Sequence, residues 1–307
     1  MLKSGFGSGA FGTKRGGSVF IKVNEDLTIS GRDEAAYFSG IYSTSEGNTG
    51  DGGYVEVEAG RINLTDGGRI DTLTLGPGNG GTISVKVADS LTISGKNFND
   101  RFGLAWPSAI TSSSLVLEDK DAGNAGAITV QANTINLIDE GEISTTAVDA
   151  GGGNITVQTS NLLHLQNGGQ ITTSVRGGVG DGGNITVEKP TFIVLDQGQI
   201  KAQADEGHGG NINIKSDHLI RTPNSLISAS SKLGLDGKIK IDSPETNMDA
   251  FLVILPYDSV ETSEPKTPCG SRSAENRSSF IVLESEGTRN SPGDLLPSSL
   301  LLEKSLF

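Results

Sequence analysis

Chemistry on a polymer substrate requires carboxylates placed beside a basic group, or a pair of carboxylates on either side of the bond to be cut. The acids of this 307-residue chain are not grouped in that way. Asp66, Asp139, Glu140 and Asp196 recur at comparable corners and are expected to stack in one column; with no arginine or lysine among them, they read as solvated turn residues. His164, His208 and His218 stand at non-equivalent places in the pattern, which gives neither a metal cluster nor a nucleophile–histidine pair. The run Gly178-Val179-Gly180-Asp181-Gly182-Gly183 has the spacing of a dinucleotide loop, but it precedes a strand pattern, and a pyrophosphate needs the N-terminus of a helix. The wider run Gly177 to Asn184 has the composition of a calcium-binding nonapeptide, yet it occurs once, and such sites need stacked consecutive copies. Cys269 is the only cysteine, which excludes an intramolecular disulfide and a cysteine-built zinc site. The expectation is a chain with no catalytic residue, no metal and no cofactor.

The residues specify a scaffold instead. One phrase recurs: paired small residues, an I-x-V-like strand, a polar corner, an L-x-L-like strand, and a third strand of the form G-x-I-x-T. Its first strand is clearest at Gly152-Gly153-Asn154-Ile155-Thr156-Val157, Gly182-Gly183-Asn184-Ile185-Thr186-Val187 and Gly209-Gly210-Asn211-Ile212-Asn213-Ile214. The equivalent glycines fall at 17, 53, 81, 126, 153, 183, 210 and 237, separated by 36, 28, 45, 27, 30, 27 and 27 residues, so the underlying period is 27. Alternation within each strand (Ile155 in, Thr156 out, Val157 in) marks one buried face, and the breaks fall at Gly, Asn and Asp. A leucine-rich repeat has a similar period, but its L-x-x-L-x-L-x-x-N phrase and its helical stretch are absent. Residues 16–243 are therefore predicted to form an all-β, right-handed parallel β-helix, a β-solenoid of about eight three-strand coils. Residues 1–15 are read as a Gly-rich N-terminal segment and 244–307 as a capping strand with a largely irregular tail. The run Phe251 to Leu255 is expected to cover the last coil, because an open solenoid end exposes unpaired strand edges.

Two features decorate this scaffold. Asn154, Asn184 and Asn211 share one corner position, where stacked amides can hydrogen-bond from rung to rung, so they are assigned as a structural turn ladder. Insertions of roughly Arg32 to Gly40 and Lys96 to Ser108 fall between the second and third strands of two coils, on one edge. Six of the chain's fifteen aromatic residues lie in or beside them: Tyr37, Phe38, Tyr42, Phe98, Phe102 and Trp106. Solenoid insertions often carry binding, and these six are the candidate ligand-binding residues; the alternative is that they pack on each other to anchor their own loops.

A formal net charge of −13 with no basic stripe argues against nucleic acid as a partner. No run of about 18 apolar residues suggests a membrane span, and the N-terminus lacks the apolar core of a signal peptide, so export would call for a secretion module outside this sequence. The G-G-N-I-T-V phrase with its G-x-I-x-T third strand resembles the repeats of filamentous-haemagglutinin-type large exoproteins, the passengers of two-partner secretion, and the cyanobacterial ones in particular. Cys269 followed by Arg277-Ser278-Ser279-Phe280-Ile281-Val282 and Ser291-Pro292-Gly293-Asp294-Leu295-Leu296 resembles the C-terminal end of those exoproteins, although Glu284-Ser285-Glu286-Gly287 stands where they carry a G-R-G-G-L-P stretch. The resemblance implies an adhesin-like rod, secreted or held at the outer cell surface, exported through a partner outer-membrane transporter and attaching to a glycan or protein receptor. A carbohydrate-active β-helix enzyme and a scaffold whose open ends self-associate are the competing readings.

Overall fold

The computed structural model describes residues 5–31, 39–46, 50–99, 104–115 and 122–247, and its described residues contain β-strands and turns without a helix. A lone strand, β1 (Gly5–Phe11), precedes the first coil of β2 (Val19–Lys22), β3 (Asp26–Ser30) and β4 (Gly40–Glu46). The second coil is β5 (Tyr54–Ala59), β6 (Arg61–Thr65) and β7 (Arg69–Leu75). The third holds β8 (Thr82–Val87) and β9 (Ser90–Ser94), then a hairpin of β10 (Lys96–Asn99) and β11 (Leu104–Pro107), then β12 (Ala109–Leu115). In the fourth and fifth coils the first two strands run together, as β13 (Ile128–Ile138) followed by β14 (Glu142–Val148), and β15 (Ile155–Gln166) followed by β16 (Gln170–Arg176). The sixth is β17 (Ile185–Glu188), β18 (Phe192–Asp196) and β19 (Gln199–Gln203), and the seventh β20 (Ile212–Lys215), β21 (His218–Arg221) and β22 (Leu226–Ser228). The eighth has β23 (Ile239–Asp242) and β24 (Glu245–Asn247).

Equivalent strands stack in parallel, in three columns. The third-strand column is one sheet, β1-β4-β7-β12-β14-β16-β19-β22; the first-strand column runs β2-β5-β8-β13-β15-β17-β20-β23; the second-strand column joins it because β13 and β15 belong to both. Each column has eight strands, so the eight-coil, three-strand solenoid that the 27-residue period predicts is the fold. Alternation places Ile or Val twice per rung inside the first column (Ile155 and Val157 on Ile185 and Val187) and Leu or Ile twice inside the second (Leu163 and Leu165 on Ile193 and Leu195), all with no exposed surface. At about 25 cal/mol per Å² of apolar area, this stacked file of side chains is the main stabilising term, and it exists only because each coil covers its neighbours.

The glycines have a steric cause. A Cβ on Gly126, Gly153, Gly183 or Gly210 would lie 1.9–2.0 Å from the carbonyl oxygen of the corresponding glycine one coil earlier. The first corner is packed backbone on backbone, and no side chain fits.

Three details differ from the sequence pattern. The ladder begins before residue 16: Gly5–Phe11 pairs in full parallel register with β4, from Gly5 on Gly40 to Phe11 on Glu46. The excess length of the third coil is divided between the hairpin and the stretch from Leu115 to Ile128, of which residues 116–121 lie outside the described region. The four corner acids do not form one column. Continuing the register of the second strands aligns Asp66, Gly95, Asp139, Asn167 and Gln197, with Glu140 one place later and Asp196 one place earlier. Those five share a positive φ, between 50° and 72°, so the corner selects residues that tolerate the left-handed conformation rather than residues of one charge. Phe251 to Leu255, Cys269 and the segments that carry the C-terminal resemblance lie outside the described residues.

Candidate functional site

The hairpin at the second corner of the third coil is the one antiparallel element among the described strands, and it rises from a fixed base. Ser108, with no exposed surface, accepts a hydrogen bond from the Gly67 N–H (2.9 Å) and donates to the Ser94 carbonyl (2.7 Å), tying the root of the hairpin to two successive coils. Gly95 takes a positive φ of 72° to turn the chain outward, and its carbonyl accepts from the Ser108 N–H. Lys96 forms an ion pair with Glu140 (2.5 Å) on one side, and Arg69 donates to the Pro107 carbonyl (3.4 Å) on the other. The arms are held by side chains from the coils before and after.

Register then decides what the hairpin presents. Phe98 pairs with Ala105 and Trp106 with Asn97, so the two aromatics lie on opposite faces. The Asn97 Cβ lies 2.7 Å from where a Cβ on Gly67 would be, so the face of Asn97 and Trp106 turns toward the solenoid, and Trp106 is half-buried there. Phe98, on the opposite face, is 61% exposed. Tyr42 is elsewhere: it stands on the outer face of the third-strand sheet with its ring over β1, 2.2 Å from where a Cβ on Gly7 would be. It fills the surface that two glycines leave bare and fixes the register of β1 on β4. Of the six candidate aromatics, Tyr42 and Trp106 thus serve packing and Phe98 is presented to solvent, while Tyr37, Phe38 and Phe102 lie outside the described residues.

A polar group that the sequence pattern does not reveal adjoins the hairpin. Arg69 and Asp71 project from β7 with a 3.7 Å nitrogen–oxygen separation; Arg69 donates to the Thr111 hydroxyl (2.9 Å), which donates to Asp71 (2.7 Å). Farther along the same outer face, Glu142 stands on β14 and Lys201 on β19. Partial burial lowers the Lys201 pKa below its ordinary value, and the Glu142 carboxylate opposes that shift. Acids and bases spread from position 69 to position 201 share a face because the register brings every 27th or so residue into line, which is why a search for local clusters misses them.

The asparagine ladder forms as expected. Asn154 Oδ1 accepts from the Asn184 N–H (2.8 Å) and side-chain amide (3.2 Å), Asn184 Oδ1 accepts likewise from Asn211, and Asn211 Oδ1 accepts from the Lys238 N–H. A second ladder precedes it on the same corner. Asp51 accepts from Asn79, Asn79 from the Asn124 N–H, and Asn124 from the Gly151 N–H, each three residues before the position of the first ladder. Its later member Asp181 accepts from the His208 N–H and lies 2.9 Å from His208 Nδ1. His218 stacks on Phe192 with ring centroids 5.0 Å apart. Each of these two histidines has a local partner, and among the described residues no group of three or more His, Cys, Asp or Glu is placed to hold a metal ion. No helix among them is long and apolar enough to cross a membrane. Comparison with known proteins finds no family model, no characterised relative and no solved structure that matches this chain.

Proposed function

We propose that the chain is a non-catalytic, adhesin-like rod of the filamentous-haemagglutinin exoprotein type, working outside the cell or at its outer surface after export through a partner outer-membrane transporter. The observation that carries this reading is the hairpin: a rigidly rooted projection that holds Phe98 61% exposed on a scaffold whose other outward positions are mostly Thr, Ser, Gln, Asn, Lys and Glu. An exposed aromatic on a fixed support contributes contact area to a receptor at little conformational cost, which suits a glycan or a protein surface. The test is a binding screen of the purified chain against glycans and cell-surface extracts, repeated with Phe98→Ser. Binding that falls at least tenfold in the variant supports an adhesive hairpin; binding that is equal in both removes the hairpin from the site.

The outer-face group of Arg69, Asp71, Glu142 and Lys201 supports a second reading, a carbohydrate-active β-helix enzyme, because it sets carboxylates and bases along one sheet. Depolymerising activity abolished by Asp71→Asn would select that reading over the first.

A further inference from the structure

Two cavities lie in line along the corner between the first and second strands, a different edge from that of the hairpin, which rises between the second and third. One, of about 410 Å³, runs from Lys22 in the first coil to Gln131 in the fourth. The other, of about 470 Å³, runs from Val87 in the third coil to Lys189 in the sixth. Val87, Ala88 and Gln131 line both, so the two make one groove over six rungs. Its floor is the file of Ala59, Val87, Ala132 and Thr159, each at most 7% exposed. The residues on either side of that file turn outward and form the rims.

Most of the charge on the rims is paired. Lys22 meets Glu58 at 2.9 Å, and Lys86 meets Glu56 at 2.6 Å and Glu58 at 3.5 Å. In the next two coils the same rim holds Gln131 and Gln158, and Gln158 donates to Glu188 (3.0 Å). Gln131 stands exposed where the two cavities meet, and nothing among the described residues hydrogen-bonds to its amide. Two places on, across Ala132, Asn133 accepts from Ser160 (2.8 Å), and its side-chain N–H groups have no partner among the described residues. The middle of the groove therefore offers free amide groups, which donate and accept, between walls whose charges are largely satisfied.

We propose that this groove binds a linear, uncharged polysaccharide laid along the solenoid axis, one sugar to each rung. The rungs repeat every ~4.8 Å, close to the length of one pyranose in an extended, equatorially linked chain, so successive sugars meet equivalent places one coil apart. Sugar hydroxyls suit the Gln131 and Asn133 amides, whereas the paired rim charges leave an ionic polymer little to bind, and a net charge of −13 repels a polyanion. An extended peptide fits less well. It rises about 3.3 Å per residue, out of step with the rungs. It also takes its main-chain hydrogen bonds from a free strand edge, and β5, β8, β13 and β15 are bonded on both sides. No aromatic ring among the described residues lines the groove, so affinity comes from polar contacts repeated rung by rung and grows with the length of the glycan.

Calorimetric titration of the full chain tests this, with neutral β-1,4-linked hexasaccharides of glucose, mannose and N-acetylglucosamine, the disaccharide of each, and a hexamer of galacturonate. At least one neutral hexasaccharide is expected to bind, at least tenfold more tightly than its disaccharide and than the galacturonate. Gln131→Ala/Asn133→Ala, at two exposed side chains, should weaken that binding at least tenfold. Ala88→Leu fills the groove where the cavities meet without touching either amide; it should cause a similar loss, and it serves if the double variant fails to fold by circular dichroism. Phe98→Ser should leave the binding unchanged, which separates the groove from the hairpin. The proposal is overturned if none of the three neutral hexasaccharides binds, if the hexasaccharide binds no more tightly than its disaccharide or the galacturonate, if Phe98→Ser abolishes binding, or if the groove variants do not weaken it.

Discussion

The first three coils and the three that follow turn the same corner with different groups. In the earlier coils the innermost places of the third strand hold Ser45, Thr74 and Ser114, and their hydroxyls donate to carbonyls of the corner at 3.0–3.2 Å. In the later coils the same places hold Ala147, Val175 and Ala204, which pack with Ala125 into a small apolar cluster of their own. Outside, the Asp51–Asn79–Asn124 ladder ties the earlier coils and returns as Asp181–His208, and the later coils add the Asn154–Asn184–Asn211 ladder. Hydroxyls inside the corner donate to its carbonyls and amides outside accept from its N–H groups, so both kinds of backbone group are served while the innermost places change from polar to apolar.

The two halves share the glycine column, so the largest effect should come from breaking it. Gly153→Ala places a methyl 2.0 Å from the Gly126 carbonyl oxygen and can be accommodated only by parting two coils. A loss on the order of 3 kcal/mol or more in chemical denaturation is expected; a loss under about 1 kcal/mol would mean that the corner is looser than the packing implies.

Exchanging the interiors sharpens the comparison. Thr74→Val removes a hydroxyl from the Asn79 carbonyl, which keeps the Gly52 N–H, and Val175→Thr sets a hydroxyl into the apolar cluster of the other half. Val175→Thr should cost about 1–3 kcal/mol and Thr74→Val about 0.5–1.5 kcal/mol by thermal or chemical unfolding, although the two changes are chemical opposites. Two neutral substitutions would show that the halves are interchangeable.

The smallest effect is electrostatic. Hydrogen bonds from the His208 backbone N–H, and next from its side chain, hold the Asp181 carboxyl below the ordinary value of 3.8. A folded pKa below the unfolded one contributes stability that is fully present above about pH 4 and is lost as pH falls through the folded value. Asp181→Asn should therefore flatten the acid end of the stability–pH curve slightly and leave neutral pH nearly unchanged. The pair is exposed, so a large change at neutral pH would count against this assignment.

Much of the fold is legible because period and alternation are one-dimensional properties. A glycine every 27 residues and an in–out pattern such as Ile155-Thr156-Val157 define the rung, and identical residues at one place, Asn154, Asn184 and Asn211, announce a ladder. The second ladder is hidden because Asp51, Asn79, Asn124, Asp181 and His208 do the same work with different side chains. The first rung is hidden as well: Gly5–Phe11 carries one large inward residue, Phe6, and its surface is completed by the ring of Tyr42, 35 residues beyond Gly7.

By itself, then, the sequence determined the coil, its three strands and the inward file of Ile, Val and Leu, since each follows from local spacing and the cost of leaving apolar side chains in water. Only the tertiary structure decided that Phe98 faces outward while Trp106 faces the scaffold, and that Asp71, Glu142 and Lys201 share one face. Those facts depend on register between strands 27 to 45 residues apart, and register is set by how whole coils stack rather than by any one segment.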